Sequence, residues 1–326
     1  RGPVMSRVRV PGACSGLQGA GRFGWQSLGV GPAGAMDCWA ARVANALLDN
    51  DANAPVLEMT LSGAELEVGA GSWFAVTGCD MAASCDGEPL PLCRPVWVGE
   101  GSVLRFDAAR RGCRAYLAVR SGFAVPQVLG SASTDARAGL GGIAGRRLQR
   151  GDELRYRCAA ATTPAIRAAP WSTRLALPGA GVPRLALIPG PAWCALSPAD
   201  RERLTGDLFT VSRAADRMGL RLEESLGSAG ALEPILSQGV VFGALQLPPD
   251  GRAILLGADR QTTGGYPLVA VVASVDHAAL AQLRPGDSLR FRAGDVATAQ
   301  AAWCAREQRF RRWRVAVRAW WAAQAP

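Results

Sequence analysis

No apolar run in this chain is long. Stretches such as "SWFAVTG", "RAYLAVRSG", "RLALIPG", "AILLGA" and "YPLVAVVAS" are each closed within a few residues by Gly, Pro, Ser or Asp. Runs of that length fit strands, and the residues that close them fit turns. The core must then be assembled from many short strands closed into barrels or sandwiches. A membrane-spanning helix needs about 18 consecutive apolar residues, so no membrane span is expected. With 326 residues, 49% of them hydrophobic, the chain has the length for two domains.

Three segments share one pattern: "VGEGSVLRF" ending at Phe106, "LQRGDELRY" ending at Tyr156 and "LRPGDSLRF" ending at Phe291. The glycine is expected at positive φ in a tight turn. The following Leu-Arg-aromatic is expected to begin a strand, with Leu and the aromatic on opposite faces. Two of the segments close the two halves of the chain, which hints at related barrels.

Helices are few. "MDCWAARVANALLDN" places Trp39, Val43, Ala46 and Leu47 on one face, with Asp37 near its start. "SPADRERLTG" has Ser197 as a cap, Pro198 in the first turn and Gly206 as a stop. The Ala-, Pro-, Thr- and Gly-rich stretch near 161–183 lacks a sustained period and reads as a linker. The expected organisation is therefore mainly β: a barrel over 1–160, the linker 161–183, a second barrel over 184–295 and a helical tail over 296–326. In the tail, Trp303, Phe310, Trp313, Val317 and Trp320 recur at helical spacing among arginines. A basic amphipathic helix of this kind can lie on a membrane surface or an acidic partner, or dock on its own protein or a second copy, and such docking is the expectation.

The 36 basic residues are all arginine. Without lysine there is no Walker-type phosphate loop, no Schiff base and no residue to carry biotin. His277 is the one histidine, so a Ser/His/Asp triad or a multi-histidine metal site must include it or be absent. It follows Asp276 at a short helix capped by Ser274 or Asp276, and is expected to be solvated. No His/Cys/carboxylate cluster has metal-ligand spacing, so no metal is expected. Nine cysteines, an odd number without a CxxC pair, fit free thiols in a reducing, cytoplasmic setting, as does the lack of a recognisable export signal. The net charge of +9 is spread through the body of the chain rather than in an aromatic-laced patch, so nucleic acid is not the expected partner.

One loop concentrates hydrogen-bonding side chains: Asp259-Arg260-Gln261-Thr262-Thr263-Gly264-Gly265-Tyr266-Pro267, between two apolar runs. Together with "GLQGAGRFGWQSLGVGPAGAMDCWAARVANALL", "LEMTLSGAELEV", "FAVTGCDM", "GCRAYLAVRSG", "VLGSASTDARAGLGG", "DRMGLRL", "ILSQGVVFGALQLPPDG" and "LAQLRPGDSLRF", it makes an ordered set of motifs. The set resembles the biotin-dependent carboxyltransferase family. That family contains the C-type subunit of 5-oxoprolinase, the kinase-A inhibition antagonist and the allophanate hydrolase subunit 2 type domain of urea carboxylases. The resemblance covers roughly residues 10–292. It implies two β-barrel domains, at least one cyclophilin-like, and a B-type subunit as partner in a hetero-oligomer, with a third, lactam-utilisation protein in 5-oxoprolinases. The joint reaction opens 5-oxoproline to glutamate with ATP used by the complex, not bound by this chain alone. In the urea carboxylase relatives the related domain moves a carboxyl group from carboxybiotin, which here must arrive in trans. A third role is that of a non-catalytic antagonist that binds a B-type partner. The sequence departs from the family pattern in Gln18-Gly19-Ala20-Gly21-Arg22, which lacks the usual acid, in Pro32-Ala33-Gly34-Ala35-Met36-Asp37, which lacks the serine usual before Gly34, and at Ala132, where an arginine is usual.

With either a lactam or a urea as acceptor, negative charge develops on oxygen, which demands fixed donors in a dry site. Arg217 and Arg260 are the expected donors, because a guanidinium offers a planar fork. Asp216 or Asp259 is the expected general base or arginine holder. Gln246, Gln261, Thr262 and Thr263 are expected to orient the amide, with Gly264 and Gly265 admitting it and Tyr266 covering it. Met36, Asp37 and Asn45 are secondary candidates, since a helix entry explains much of their motif.

Overall fold

The computed structural model describes residues 4–156, 167–177, 179–228, 232 and 235–324. The chain separates into two units: Arg1–Arg22, Ala33–Pro178 and Phe310–Pro326 form the first, and Phe23–Pro32 and Gly179–Arg309 form the second. Each has its own β core. The fold is mainly β with four α-helices, as the short apolar runs predict.

The first unit holds strands β1 (Val4–Val10), β2 (Cys14–Gln18), β3 (Val56–Thr60), β4 (Glu65–Glu67), β5 (Ser72–Asp80), β6 (Ser84–Cys85), β7 (Glu88–Pro89), β8 (Val96–Val98), β9 (Val103–Arg105), β10 (Arg111–Val119) and β11 (Glu153–Tyr156). They form a six-stranded sheet in the order β11-β1-β4-β9-β6-β7 and a five-stranded sheet in the order β2-β3-β10-β5-β8. Val8, Leu66, Leu104 and Leu154 of one sheet and Leu57, Phe74, Val76 and Leu117 of the other share a single buried cluster. The opposite face of the five-stranded sheet is covered by α1 (Cys38–Leu47). Asp37 caps this helix by accepting from the Ala40 amide at 2.9 Å, and Thr77 Oγ1 donates to the Ala40 carbonyl at 2.8 Å. Trp39, Val43, Ala46 and Leu47 are buried, as their spacing predicts.

The second unit holds β12 (Arg184–Pro189), β13 (Leu208–Thr210), β14 (Gly219–Ser225), β15 (Gln238–Gly239), β16 (Ala244–Gln246), β17 (Arg252–Leu256), β18 (Thr263–Gly264), β19 (Leu268–Val272) and β20 (Ser288–Ala293). Seven of them run β13-β20-β12-β19-β16-β17-β14. A bridge between Val211 and Leu222 joins the two ends of that order, so the sheet closes and leaves no long free edge. Helix α2 (Pro198–Gly206) starts at Ser197, whose hydroxyl accepts from the Asp200 amide at 3.1 Å. Helix α3 (His277–Ala281) has no side-chain cap. The Asp276 carboxylate, expected to cap it, instead accepts from the Ala186 amide at 2.8 Å.

Other expectations meet a different geometry. In the repeated turns Gly101, Gly151 and Gly286 do have φ of 80°, 91° and 86°. However, Leu104 and Phe106, Leu154 and Tyr156, and Leu289 and Phe291 are all buried, on one face and not two, because residues two apart in a strand point the same way. Residues 161–166 and 178 of the expected linker lie outside the described residues, whereas 167–177 are bonded into the first unit. Trp97 N donates to Arg167 O, Thr173 N to Cys93 O and Gly78 N to Ala176 O, at 2.7, 3.0 and 3.1 Å. This segment satisfies strand backbone that would otherwise be open. His277, expected in solvent, is half-buried: its ring stands 4.6 Å from that of Phe242 and its Nε2 is 3.0 Å from the Val272 carbonyl.

The tail forms α4 (Val296–Ala323) and docks on its own chain. Its first part ties to the second unit, where Arg306 Nη1 donates to Val275 O at 2.9 Å. From Phe310 onward it covers the first unit. Phe310 lies 5.2 Å from the Trp39 ring, and Trp321 Nε1 donates to Leu47 O at 2.9 Å. The buried stripe is Phe310, Val317 and Trp321, so the helix places Trp321 where Trp320 was expected. No helix among the described residues is long and apolar enough to cross a membrane.

Candidate functional site

In the second unit the polar loop leaves β17 and returns through β18 to β19, so two strands of the closed sheet fix its ends. Arg217 donates from Nε and Nη2 to the two carboxylate oxygens of Asp259, both at 2.8 Å. This is the bidentate fork that lysine cannot make. The Asp259 amide in turn donates to the Arg217 carbonyl at 2.9 Å. Both Asp259 oxygens are thus engaged by one guanidinium, the geometry of an arginine holder. Asp216 is exposed and accepts from the Met218 and Gly219 amides at 2.8 and 3.2 Å, so its work is to shape a turn.

Arg260 is buried. Its Nη1 donates to Gly257 O at 3.1 Å and its Nε to Val240 O at 3.4 Å. Gln246, on β16, donates to the Tyr266 carbonyl at 3.2 Å and accepts from Gln261 Nε2 at 3.4 Å. A Cβ on Gly264 would stand 2.7 Å from Gln246 Nε2 and 3.2 Å from Gln261 Nε2, so this glycine is required for the two amides to meet over the backbone. Gly265 and Thr262 are half-buried, whereas Thr263 and Tyr266 are exposed. The structure thus brings Gln246, Gln261 and Gly264 together and pairs Arg217 with Asp259. Burial holds His277 down at about 4, with the charges of Arg306 and Arg260 acting in the same direction, so at neutral pH its ring is uncharged.

Met36, Asp37 and Asn45 belong to the first unit. Asp37 is the helix cap. Asn45 Nδ2 donates to Ala54 O at 2.8 Å, and its Oδ1 accepts from Asn50. Both side chains are engaged in hydrogen bonds within the first unit. The Met36 amide leads to a feature the sequence reading missed: it donates to Glu58 Oε2 at 2.8 Å. Tyr116 OH donates to the same oxygen at 2.8 Å and accepts from the Asp37 amide at 2.7 Å. Glu58 and Tyr116 are cross-strand partners on β3 and β10, and Arg114, two residues before Tyr116 on β10, shares their face. Burial, reinforced by the Glu58 and Asp37 charges, raises the Tyr116 hydroxyl well above its usual value, so it remains a donor.

Gln18 and Arg22 extend this polar layer. Gln18 Nε2 donates to Thr134 O at 3.1 Å, and Arg22 donates from Nη2 to Ser133 O at 2.9 Å and from Nε to Val128 O at 3.0 Å. The available signal was the placing of Glu, Arg and Tyr at inward positions of otherwise apolar strands, "LEMTL" and "GCRAYLAV".

The closed second sheet, the double-sheet first unit and these two polar clusters define a two-part β protein. Residues 28–293 match the family described as "Carboxyltransferase domain, subdomain A and B", and the chain belongs to it. It is 37% identical over 278 residues to the Haemophilus influenzae protein named as the C-type subunit of 5-oxoprolinase, covering 85% of this chain and 87% of that one. It is 33% identical over 296 residues to the Escherichia coli protein of the same name, covering 88% and 90%. Among solved structures, the Kluyveromyces lactis urea amidolyase superposes with a TM-score of 0.84 at 26% identity over 94% of this chain. This chain spans only 20% of that much longer one.

Proposed function

We propose that this chain is the C-type subunit of an ATP-dependent 5-oxoprolinase, acting with a B-type subunit and a lactam-utilisation A-type subunit to open 5-oxoproline to glutamate. The observation that carries the reading is the likeness to two proteins named as 5-oxoprolinase subunits of the C type along nearly the whole of both chains. Eight cysteines among the described residues are free thiols, which agrees with a cytoplasmic place. ATP is used by the assembled complex, since no lysine-bearing phosphate loop exists here.

On this reading Arg260 is the group that faces developing negative charge. Two backbone carbonyls already fix it, so little reorganisation is needed when that charge appears. Arg217 and Asp259 hold the loop, and the Gln246–Gln261 pair orients the amide. Complex reconstituted from purified subunits and given ATP and 5-oxoproline is expected to release glutamate. Arg260→Ala is expected to lower kcat/KM by about a hundredfold or more without preventing assembly. An assembled Arg260→Ala complex with normal turnover rules out the site.

The likeness to a urea amidolyase and the family's description favour one second reading, carboxyl transfer from biotin carried by another protein to a urea-like amide. Biotin-dependent carboxylation of urea by the complex, with no glutamate formed from 5-oxoproline, selects it. Tight partner binding with neither turnover selects a non-catalytic antagonist.

A further inference from the structure

His277, the chain's one histidine, is joined by short hydrogen-bonded links to both anchors of Arg260 in the second unit. Its Nε2 lies 3.0 Å from the Val272 carbonyl. That oxygen can only accept, so Nε2 carries the proton and donates. The Val272 amide donates in turn to the Gly243 carbonyl at 2.9 Å, and the Gly243 amide to the Leu256 carbonyl at 2.8 Å. These links end on the two segments whose carbonyls fix the guanidinium. Val240 O, in the same turn as Gly243, accepts from Arg260 Nε at 3.4 Å, and Gly257 O, next to Leu256, accepts from Nη1 at 3.1 Å. The ring also meets the turn directly. The Phe242 ring lies 4.6 Å from it, and a Cβ on Gly243, whose φ is +78°, would stand 2.9 Å from Nε2. Packing this close passes a displacement on rather than absorbing it.

We propose that His277 is a positioning residue for Arg260, holding the turn at 240–243 in the place from which the Val240 carbonyl fixes the guanidinium. It acts through that turn and touches no reacting atom. The ring suits the task because it donates without being charged: at neutral pH it adds no positive charge beside Arg260 and Arg306. Its neighbour Asp276 is spent elsewhere, on the Ala186 amide at 2.8 Å and on Arg292 at 3.4 Å. Without the imidazole, the turn loses the face of Phe242's partner ring and the Val272 carbonyl loses its side-chain donor, which leaves Val240 free to shift. The inference rests on the functional reading above for what Arg260 does in turnover, whereas the position of Arg260 is measured apart from that reading.

The first test uses the full chain without partner or ATP, so a failure of 5-oxoprolinase turnover in the complex leaves its result standing. Hydrogen exchange of the Arg260 Nε–H, assigned in nitrogen–proton NMR spectra by its loss in Arg260→Lys, is expected to be slow. His277→Ala is expected to speed it about tenfold or more, while the Nε–H of Arg217, gripped by Asp259, keeps its rate. His277→Gln, which retains an uncharged N–H donor, is expected to restore most of the protection. Unchanged Arg260 exchange in His277→Ala overturns the proposal, as does an equal rise at Arg217 and Arg260, the mark of general loosening. So does Arg260 exchange in the wild-type chain as fast as that of an exposed arginine, a measurement that does not depend on whether the variants fold. In the reconstituted complex, His277→Ala is expected to lower kcat about tenfold with KM held, and to add nothing on an Arg260→Ala background. A loss of the same size on both backgrounds overturns the proposal, since His277 then acts through something other than Arg260.

Discussion

Arg217 and Asp259 show how much one pair of residues can carry. Because the fork uses both carboxylate oxygens at 2.8 Å and both side chains are largely shielded, Arg217→Lys should cost about 1 to 3 kcal/mol. Asp259→Asn should cost a similar amount, and the double variant should lose less than the sum. Urea unfolding in a double-mutant cycle measures this, and strict additivity would contradict the coupling. His277 makes a second residue-scale case. Its folded value of about 4 lies below the unfolded value of about 6.5. Its neutral ring therefore contributes stability fully above pH 6.5, and that contribution is lost as pH falls from 6.5 towards 4. The wild-type urea midpoint should drop across that window by up to about 3 kcal/mol in stability, and His277→Gln should show a flatter profile. Identical profiles would sink the assignment.

At the scale of elements, the loop between β17 and β19 was legible because its composition is unusual for a turn: an acid, an arginine, an amide, two threonines and two glycines in succession. What its residues do was less legible, since Asp216 and Asp259 look alike in sequence. One caps a turn and the other grips a guanidinium. The tail is the clearest case of an element whose period is visible and whose partner is not. Trp321 packs 5.3 Å from Trp73, beneath the Arg120 guanidinium at 3.8 Å, and donates to Leu47 O. Trp321→Ala should therefore destabilise the first unit by about 3 to 5 kcal/mol, read as a lower urea midpoint together with lost protection of the α1 amides. Unchanged protection of α1 would show that α4 is not holding it.

For the whole molecule, the all-arginine composition sets a limit that no folding can lift: the isolated chain has no lysine to place on a nucleotide's phosphates. Titration of the purified chain with ATP should give no tight binding, and submicromolar affinity without a partner would contradict the assignment of nucleotide use to the complex. The mainly β architecture, the turns at Gly101, Gly151 and Gly286 and the helix begun by Asp37 were all fixed by local rules of backbone freedom, capping and periodicity, which act over a few residues and can be read directly. The polar layer of Gln18, Arg22, Glu58, Tyr116 and Thr134 was decided by tertiary structure alone. Its members are separated by up to 116 positions; the pairing of β2, β3 and β10 carries Gln18, Glu58 and Tyr116 to one face, and hydrogen bonds bring the loop residues Arg22 and Thr134 to the same unit, where loss of water gives each unmet hydrogen bond its cost.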